Sequence, residues 1–396
     1  MPKIAIVNIG AHGHINPTLA MTAELLRLGH DVAYYTNESF RNVIKSTGAS
    51  FRAYDSNFSA NVPVPTVDGF DTSRFPIWVL TEAKDALPKL LTMLENDRPD
   101  VICFDSLALA GRLAAMKLGI RAVRLCPSYA ANEHWSLMRS SPDIKPPTEE
   151  IKSEAAALLR EIGNRHGLAL TDFPTLFTTP AELNLVFMPR MFQPMGETFD
   201  DRFAFVGPQI SPRAPHADFL MPAGDKPILF ISLGTVFNQW PEFFKMCFEA
   251  FADNGMTIIM AIGNKNDAAS LGAIPANFKL YPQVPQLEVL AKADVFVSHG
   301  GMNSTMEAMS YGVPVVAIPQ MAEQAATGRR VHELKCGIHL PRQSVTADAL
   351  KNAVSELRAD QSYKSKGRVI GDAAREAGGF QQAAKTISRF LAAKKT

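Results

Sequence analysis

Short apolar runs alternate with helical segments along the chain, and this pattern predicts α/β structure. An apolar run at residues 4–9 precedes a segment with Leu19, Ala23 and Leu26 at helical spacing, and another apolar run begins at Val32. A strand, a helix and a strand of these lengths form a βαβ unit, whose two strands are parallel. Ligands bind beyond the carboxyl ends of parallel strands, so we expect functional residues in the loops that follow them.

Two histidines follow the first predicted strand. The pattern predicts a loop at residues 10–15 that carries His12 and His14, then a helix with Asn16 as its N-cap and Pro17 in its first turn. A pair of histidines in a loop is either an ordinary solvent-facing pair or part of a catalytic site, and the spacing alone leaves both possibilities open.

A later buried strand ends in an acidic residue. The apolar run at residues 101–104 ends at Asp105, and a helix is predicted from about Leu107 to Leu118, closed by Gly119. Asp105 is therefore either the N-cap of this helix or a functional carboxylate at the carboxyl end of a strand.

The most specific pattern lies between residues 283 and 324, where a strand, a glycine turn, a helix and a second strand follow one another. His299 follows the strand, residues 300–301 are glycines that permit a sharp turn, and Asn303 and Ser304 open the helix. The N–H groups at a helix N-terminus, together with a hydroxyl and an imidazole, form a site for a diphosphate that needs no metal. The sequence contains neither the dinucleotide glycine fingerprint nor a P-loop.

A simpler interpretation exists for part of this stretch. Ser304 and Glu307 have the spacing of a capping box, and His299 is then a loop histidine with ordinary hydrogen bonds. These residues alone do not decide between the two interpretations.

Length and composition restrict the class of protein. A chain of 396 residues with 46% hydrophobic and 20% charged residues has enough apolar material for two domains. The net charge of +1 favours small molecules over nucleic acid or an anionic membrane as partners. We expect a cytoplasmic enzyme with no membrane span, because the four cysteines are scattered and the sequence has neither a signal-peptide pattern nor a long apolar run.

The whole stretch from 283 to 324 resembles the nucleotide-sugar signature box of the UDP-dependent glycosyltransferases, especially the bacterial macrolide and flavonoid type. The shared positions are Val-Pro-Gln at 284–286, the segment 299–307, Gly-Val-Pro at 312–314 and the closing Glu-Gln pair at 323–324. Residues 11–17 resemble the amino-terminal motif of the same family. The resemblance covers nearly the whole chain and implies a GT-B fold, in which two facing Rossmann-like domains with doubly wound parallel sheets enclose a cleft.

The resemblance also implies where the donor binds. Gln283 occupies the position where the family often has a Trp that stacks on uracil, so base stacking is weaker or comes from a neighbour such as Tyr281. Met302 stands where the plant enzymes have a second Trp, and Glu323 stands where Asp is usual. The implied contacts are to the nucleoside (Gln283, Val284, Gln286), the diphosphate (Thr235, His299, Gly301, Asn303, Ser304), the ribose (Glu307) and the sugar (Glu323, Gln324).

The family's mechanism gives His14 and Asp105 catalytic roles. By the resemblance, His14 is the general base and Asp105 orients it and stabilises its charge. This implies an inverting transferase that moves a hexose, with glucose expected, from a UDP-sugar to a hydroxyl of a flavonoid, another phenol or a macrolide. We expect neither a metal nor a cofactor, and the sequence contains no Asp-x-Asp motif. The alternatives are a nucleotide-sugar-binding protein without transfer activity and a UDP-sugar epimerase of similar fold.

The predicted domain organisation follows the same comparison. We expect an acceptor-binding domain at 1–208, a proline-rich linker at 209–217, a nucleotide-sugar-binding domain at 218–378, and a C-terminal helix at 379–396 that packs back on the first domain. Irregular aromatic segments at 51–80 and 129–147 are typical of loops that bind flat apolar acceptors.

Overall fold

A computed structural model describes residues 1–54, 71–211, 219–234 and 238–393. The described residues form two compact units. The first unit contains residues 1–54, 71–211 and 376–393, and the second contains the described residues between 219 and 375. Most of the predicted linker lies outside the described residues.

The first unit is built on a sheet of seven strands in the order β3-β2-β1-β4-β5-β6-β7, and every neighbouring pair is parallel. Its strands are β1 (Lys3–Val7), β2 (Asp31–Thr36), β3 (Ser50–Ala53), β4 (Val101–Asp105), β5 (Arg121–Cys126), β6 (Leu183–Val186) and β7 (Phe203–Phe205). Its helices up to residue 178 are α1 (His12–Arg27), α2 (Arg41–Lys45), α3 (Phe75–Asp97), α4 (Leu109–Leu118), α5 (Leu137–Ser140), α6 (Glu149–His166) and α7 (Phe173–Thr178).

Strand β1 shows how this sheet is buried on both faces. Ile4 and Ile6 pack into one apolar cluster with residues of α1, whereas Ala5 and Val7 pack into a second cluster with residues of α3 and α4. Successive side chains of a strand point to opposite faces, so a continuous apolar run is what a strand covered on both sides requires.

The second unit has a sheet of six parallel strands in the order β10-β9-β8-β11-β12-β13. Its strands are β8 (Ile228–Ser232), β9 (Thr257–Ala261), β10 (Phe278–Tyr281), β11 (Val295–Ser298), β12 (Val315–Ala317) and β13 (Gly337–His339). Its helices are α8 (Pro241–Phe251), α9 (Gln286–Leu290), α10 (Met302–Ser310), α11 (Ala322–Glu333), α12 (Ala347–Ala359) and α13 (Gln361–Glu376).

Both sheets have a point at which the strand order changes direction. In the first sheet this point lies between β1 and β4, and in the second it lies between β8 and β11. The connections on either side of such a point leave the sheet in opposite directions, which opens a crevice at the carboxyl ends of the two strands. The loops after β1, β4, β8 and β11 are therefore the natural places for ligands.

The last helix, α14 (Gly379–Ala392), packs on the first unit. Ala383, Ala384 and Ile387 are fully buried in the apolar cluster that includes α1. Arg121 of β5 donates from Nη1 to the carbonyl oxygen of Phe390 at 2.6 Å, and its guanidinium lies 3.6 Å from the centre of the Phe390 ring.

Three predicted elements of the first unit differ from the observed ones. Helix α1 begins at His12 rather than at Asn16, so Pro17 lies inside the helix and the two histidines lie in its first turn, not in a loop. Helix α4 begins at Leu109 rather than near residue 107. Helix α3 begins at Phe75, inside the segment that the sequence pattern predicts to be irregular. Across the described ranges, no helix combines the length and the apolarity needed to cross a membrane.

Candidate active site

His14 and Asp105, which are far apart in sequence, meet at the switch point of the first sheet. His14 Nδ1 lies 2.8 Å from Asp105 Oδ2. The Asp105 side chain has no exposed surface, whereas 22% of the His14 side chain is exposed. The pair therefore joins a buried carboxylate to an imidazole that remains accessible on one side.

Asp105 does not cap the helix that follows it. The N-cap of α4 is Ala108, and Asp105 Oδ1 instead accepts a hydrogen bond from the backbone N–H of Leu107 at 2.8 Å. The N-cap interpretation is thus wrong, because two residues more are needed before the chain reaches helical geometry. One carboxylate oxygen fixes the turn after β4, and the other contacts His14.

A buried polar group supports the turn that carries His14. Asn8 Nδ2 donates to the carbonyl oxygen of His14 and to the Tyr34 hydroxyl, both at 3.0 Å, and that hydroxyl lies 2.6 Å from Thr18 Oγ1. Pro17 has no N–H to offer the carbonyl of Gly13, so this turn lacks one normal helix bond. Sequence reasoning missed Asn8 and Tyr34, although polar residues in or just after buried strands were a usable signal.

His299 lies at the switch point of the second sheet, in the turn between β11 and α10. Gly300 has φ +77° and Gly234, after β8, has φ +80°. A Cβ at Gly234 would lie 2.7 Å from His299 Cε1, and a Cβ at Gly301 would lie 2.4 Å from His299 Nε2. Both positions therefore need glycine so that the backbone can pass close to the imidazole ring.

The surroundings of His299 keep its side chain neutral. Loss of solvation lowers the pKa of His299 to about 4, and a backbone hydrogen bond to Ser232 opposes this effect only in part. Below that pKa the ring would carry a positive charge, so near neutral pH it carries none.

Helix α10 begins one residue earlier than predicted. Its N-cap is Gly301, which has no side chain to cap the helix, and the N–H of Thr305 donates to the Gly301 carbonyl at 3.0 Å. The backbone N–H groups before Thr305 point out of the N-terminus, where the helix dipole favours an anion. Asn303 and Ser304 lie half-buried in this first turn.

The capping-box interpretation of Ser304 and Glu307 is wrong. Gln286 at the start of α9 donates from Nε2 to Ser304 Oγ at 3.2 Å and to Glu307 Oε2 at 2.6 Å. Glu307 is buried, with 4% of its surface exposed. These contacts bring together three residues that the resemblance assigns to the nucleoside, the diphosphate and the ribose.

The two residues assigned to the sugar lie at the start of α11. Glu323 is half-buried in its first turn, and Gln324 is buried. The Gln324 carbonyl would lie 3.1 Å from a Cβ at Gly300, so the N-terminus of α11 is next to the turn that carries His299.

The residues assigned to the base occupy more open positions. Gln283 is exposed and Val284 is half-buried in the loop between β10 and α9. The Tyr281 ring packs against Phe219, with 5.0 Å between ring centres. Met302 is buried in α10. Thr235 lies outside the described residues.

The segment at 129–147 accepts support from polar side chains both inside and outside it. Asn132 Oδ1 accepts from the N–H groups of His134 and Trp135, and Gln193 Oε1 accepts from the N–H of Ala130. Trp135 is only 8% exposed and packs against Tyr129. Within the described ranges, no group of three or more His, Cys, Asp or Glu side chains has a geometry suited to a metal ion.

Comparison with known proteins identifies the chain. The family model for the erythromycin biosynthesis protein CIII-like C-terminal domain matches residues 246–378. The NDP-glycosyltransferase YjiC of Bacillus licheniformis is 44% identical over 395 residues, which cover 98% of each chain. The demethyllactenocin mycarosyltransferase of Streptomyces fradiae is 38% identical over 408 residues, which cover 99% of this chain and 87% of the relative.

A solved structure of a glycosyltransferase is also similar to this chain. The crystal structure of CalG4, the calicheamicin glycosyltransferase, aligns over 100% of both chains with a TM-score of 0.86 and 33% identity. The fold is therefore GT-B, and the protein is an enzyme that transfers a glycosyl group from a nucleotide sugar to a small acceptor. The epimerase and the inactive binding protein are set aside. The chain belongs to the bacterial macrolide-type family of nucleotide-sugar-dependent glycosyltransferases, as its signature box predicted.

Proposed function

We propose that this enzyme is an inverting, metal-independent glucosyltransferase that uses UDP-glucose and glycosylates a hydroxyl of a small apolar acceptor such as a flavonoid, another phenol or a macrolide. The observation that carries the proposal is the 2.8 Å contact between His14 Nδ1 and the buried carboxylate of Asp105. Among these acceptors, a macrolide is supported by the similarity to the demethyllactenocin mycarosyltransferase.

The proposed general base is His14. A carboxylate only accepts hydrogen bonds, so Asp105 selects the tautomer with the proton on Nδ1 and leaves the lone pair of Nε2 for an acceptor hydroxyl. His14 removes the hydroxyl proton, and the oxygen attacks the anomeric carbon on the side opposite the leaving diphosphate. Asp105 stabilises the imidazolium that forms, which is the role of the carboxylate in a catalytic triad.

The proposed diphosphate site is the turn between β11 and α10. The N–H groups of Gly301, Asn303 and Ser304 and the positive end of the helix dipole stabilise the negative charge of the leaving group. His299 contributes as a neutral side chain, and Thr235 completes the set. Because these groups carry the charge themselves, the proposal requires neither a divalent cation nor a cofactor.

The proposed contacts to the rest of the donor are to the ribose, the base and the sugar. Gln286 holds the Glu307 carboxylate at 2.6 Å, and we assign this carboxylate to the ribose hydroxyls. Gln283 and Val284 lie beside the base. Glu323 and Gln324, next to the His299 turn, contact the sugar hydroxyls.

Titration calorimetry with UDP tests the donor site. We expect UDP to bind equally well in EDTA, and His299→Ala to weaken binding by about 10-fold to 100-fold, because a hydrogen bond to a charged group contributes about 1.5–3 kcal/mol. His332→Ala, at an exposed position of α11, is the matched control and should bind like the parent. Loss of binding in EDTA, or a His299→Ala variant with parental affinity, would show that the phosphate site is assigned wrongly.

A further inference from the structure

A polar cluster lies at the carboxyl ends of β12 and β13, beside the start of α11. Arg342, in the turn after β13, donates from Nη1 to Gln320 Oε1 at 3.1 Å. The backbone N–H of Gln320 donates to Gln324 Oε1 at 2.9 Å. Gln320 and Arg342 have no part in the site described above, yet they are connected by hydrogen bonds to a residue proposed to contact the sugar.

Arg342 is held by an aromatic anchor. Its guanidinium lies 4.0 Å from the centre of the Trp240 ring, which in turn stacks on Phe243 of α8 with 5.1 Å between ring centres. A guanidinium over a Trp face is attracted by the ring electrons, and this contact restricts an otherwise flexible side chain. Gln320 therefore accepts its hydrogen bond from a donor with a fixed position.

This contact determines how the Gln320 amide is oriented. Arginine can only donate, so the amide must present Oε1 to Arg342 and direct Nε2 away from it. Gln320 is 8% exposed, and its Nε2 is a buried donor with no hydrogen-bond partner among the residues that the structure describes. A buried N–H without an acceptor carries a free-energy penalty, and a hydrogen bond to a ligand oxygen removes this penalty.

We propose that Gln320 is a sugar-specificity residue, which donates its amide N–H to one hydroxyl of the transferred hexose, and that Arg342 is the positioning residue that orients this amide. The proposal rests on the proposed function, because it assumes that the start of α11 contacts the sugar. A hexose that carries the hydroxyl satisfies the buried donor. A deoxy sugar that lacks it leaves the donor unpaired and should be transferred less efficiently.

Donor competition tests the role of Gln320. The donors are UDP-glucose and the UDP-deoxyglucoses that each lack one hydroxyl, and the acceptor is kept constant. We expect the parent to prefer UDP-glucose over one of the deoxy donors by about tenfold or more in kcat/KM. Gln320→Leu should lose this preference because kcat/KM falls for UDP-glucose and not for that deoxy donor. The affinity for free UDP should stay unchanged, since UDP lacks the transferred hexose.

Two further variants keep the test decisive. Gln320→Met keeps a side chain of similar length but has no N–H to donate, so it should also lose the preference even if the leucine variant does not fold. Arg342→Met should raise the KM for UDP-glucose without changing the affinity for UDP. Gln343→Leu, at an exposed neighbouring position, is the matched control.

The outcomes separate this inference from the function on which it rests. If Gln320→Leu or Gln320→Met keeps the parental preference, or weakens the binding of free UDP to the same extent as that of UDP-glucose, Gln320 is not a sugar contact. If the parent transfers from none of the UDP-sugars, the proposed function itself is contradicted.

Discussion

At the scale of single residues, two histidines are held in different electrostatic surroundings. His14 contacts the buried Asp105 carboxylate and stays partly accessible, which suits a side chain that takes up a proton during the reaction. His299 packs against two glycines where loss of solvation lowers its pKa to about 4. A neutral imidazole at that position suits a binding role rather than proton transfer.

Replacing Asp105 by Asn tests how His14 is oriented. The Asn side-chain oxygen can still accept from the Leu107 N–H, so the turn after β4 should persist. The new amide N–H, however, would face Nδ1 and favour the wrong tautomer, with the proton on Nε2. We expect kcat to fall by about 10²- to 10⁴-fold with an unchanged melting temperature. Asp100→Asn is the exposed control, and a fully active Asp105→Asn enzyme would leave Asp105 with a structural role only.

The lowered pKa of His299 also predicts how acid affects stability. Its pKa is about 4 in the folded protein and about 6.5 in an unfolded chain, so the unfolded state binds more protons between these values. Stability should therefore fall as the pH decreases from about 6.5 towards 4. Between pH 7 and pH 5, the melting temperature of the His299→Gln variant should fall less than that of the parent. Equal losses in both proteins would contradict the neutral state of His299.

Sequence reasoning found residues whose chemistry is visible locally and missed those that act through distant partners. His14, Asp105 and His299 each lie at or just after the end of an apolar strand, so the pattern made them candidates and the family resemblance implied their roles. The bonds from Gln286 to Glu307 and from Arg342 to Gln320 join segments more than twenty residues apart. Such contacts depend on how helices are placed over the sheet, which a one-dimensional pattern does not contain.

At the scale of elements, the first turn of α1 shows why helix boundaries were harder to predict than strands. Proline is common in the first turn of a helix, and this rule placed the start near Asn16. The helix instead begins at His12 and continues through Pro17, while Asn8 supplies a side-chain hydrogen bond to the His14 carbonyl. The start of this helix is thus accompanied by a tertiary contact that the local sequence rule does not include. Strand β5 was missed for a related reason, because the charge of Arg124 is buried by bonds to backbone carbonyls at the end of α7.

The docking of α14 on the first unit is expected to stabilise that unit. Ile387 is fully buried in the cluster shared with α1, and its replacement by Ala leaves a cavity. We expect Ile387→Ala to lower the free energy of unfolding of the first unit by about 2–5 kcal/mol, measured by urea denaturation. Lys385→Ala, exposed on the same helix, should change it little. Equal stability of the two variants would mean that α14 is only loosely attached.

At the scale of the whole molecule, the two units repeat one topological solution. In one unit His14 follows β1 and Asp105 ends β4, and in the other Gly234 and His299 follow β8 and β11, so part of the described site lies in each sheet where the strand order changes direction. The alternation of apolar runs with helical segments made this α/β class predictable. The number of strands was not predictable, because short strands such as β13 have only three residues.

Proton removal by His14 is the central step of the proposed mechanism, and the kcat of His14→Ala with a neutral alcohol acceptor measures it. We expect kcat to fall by about 10²- to 10⁴-fold while calorimetry shows unchanged UDP binding, because no proposed UDP contact involves His14. His12→Ala, an exposed neighbour in the same turn, is the control and should keep parental activity. A His14→Ala enzyme that glycosylates the neutral alcohol at the parental rate would contradict the general-base mechanism.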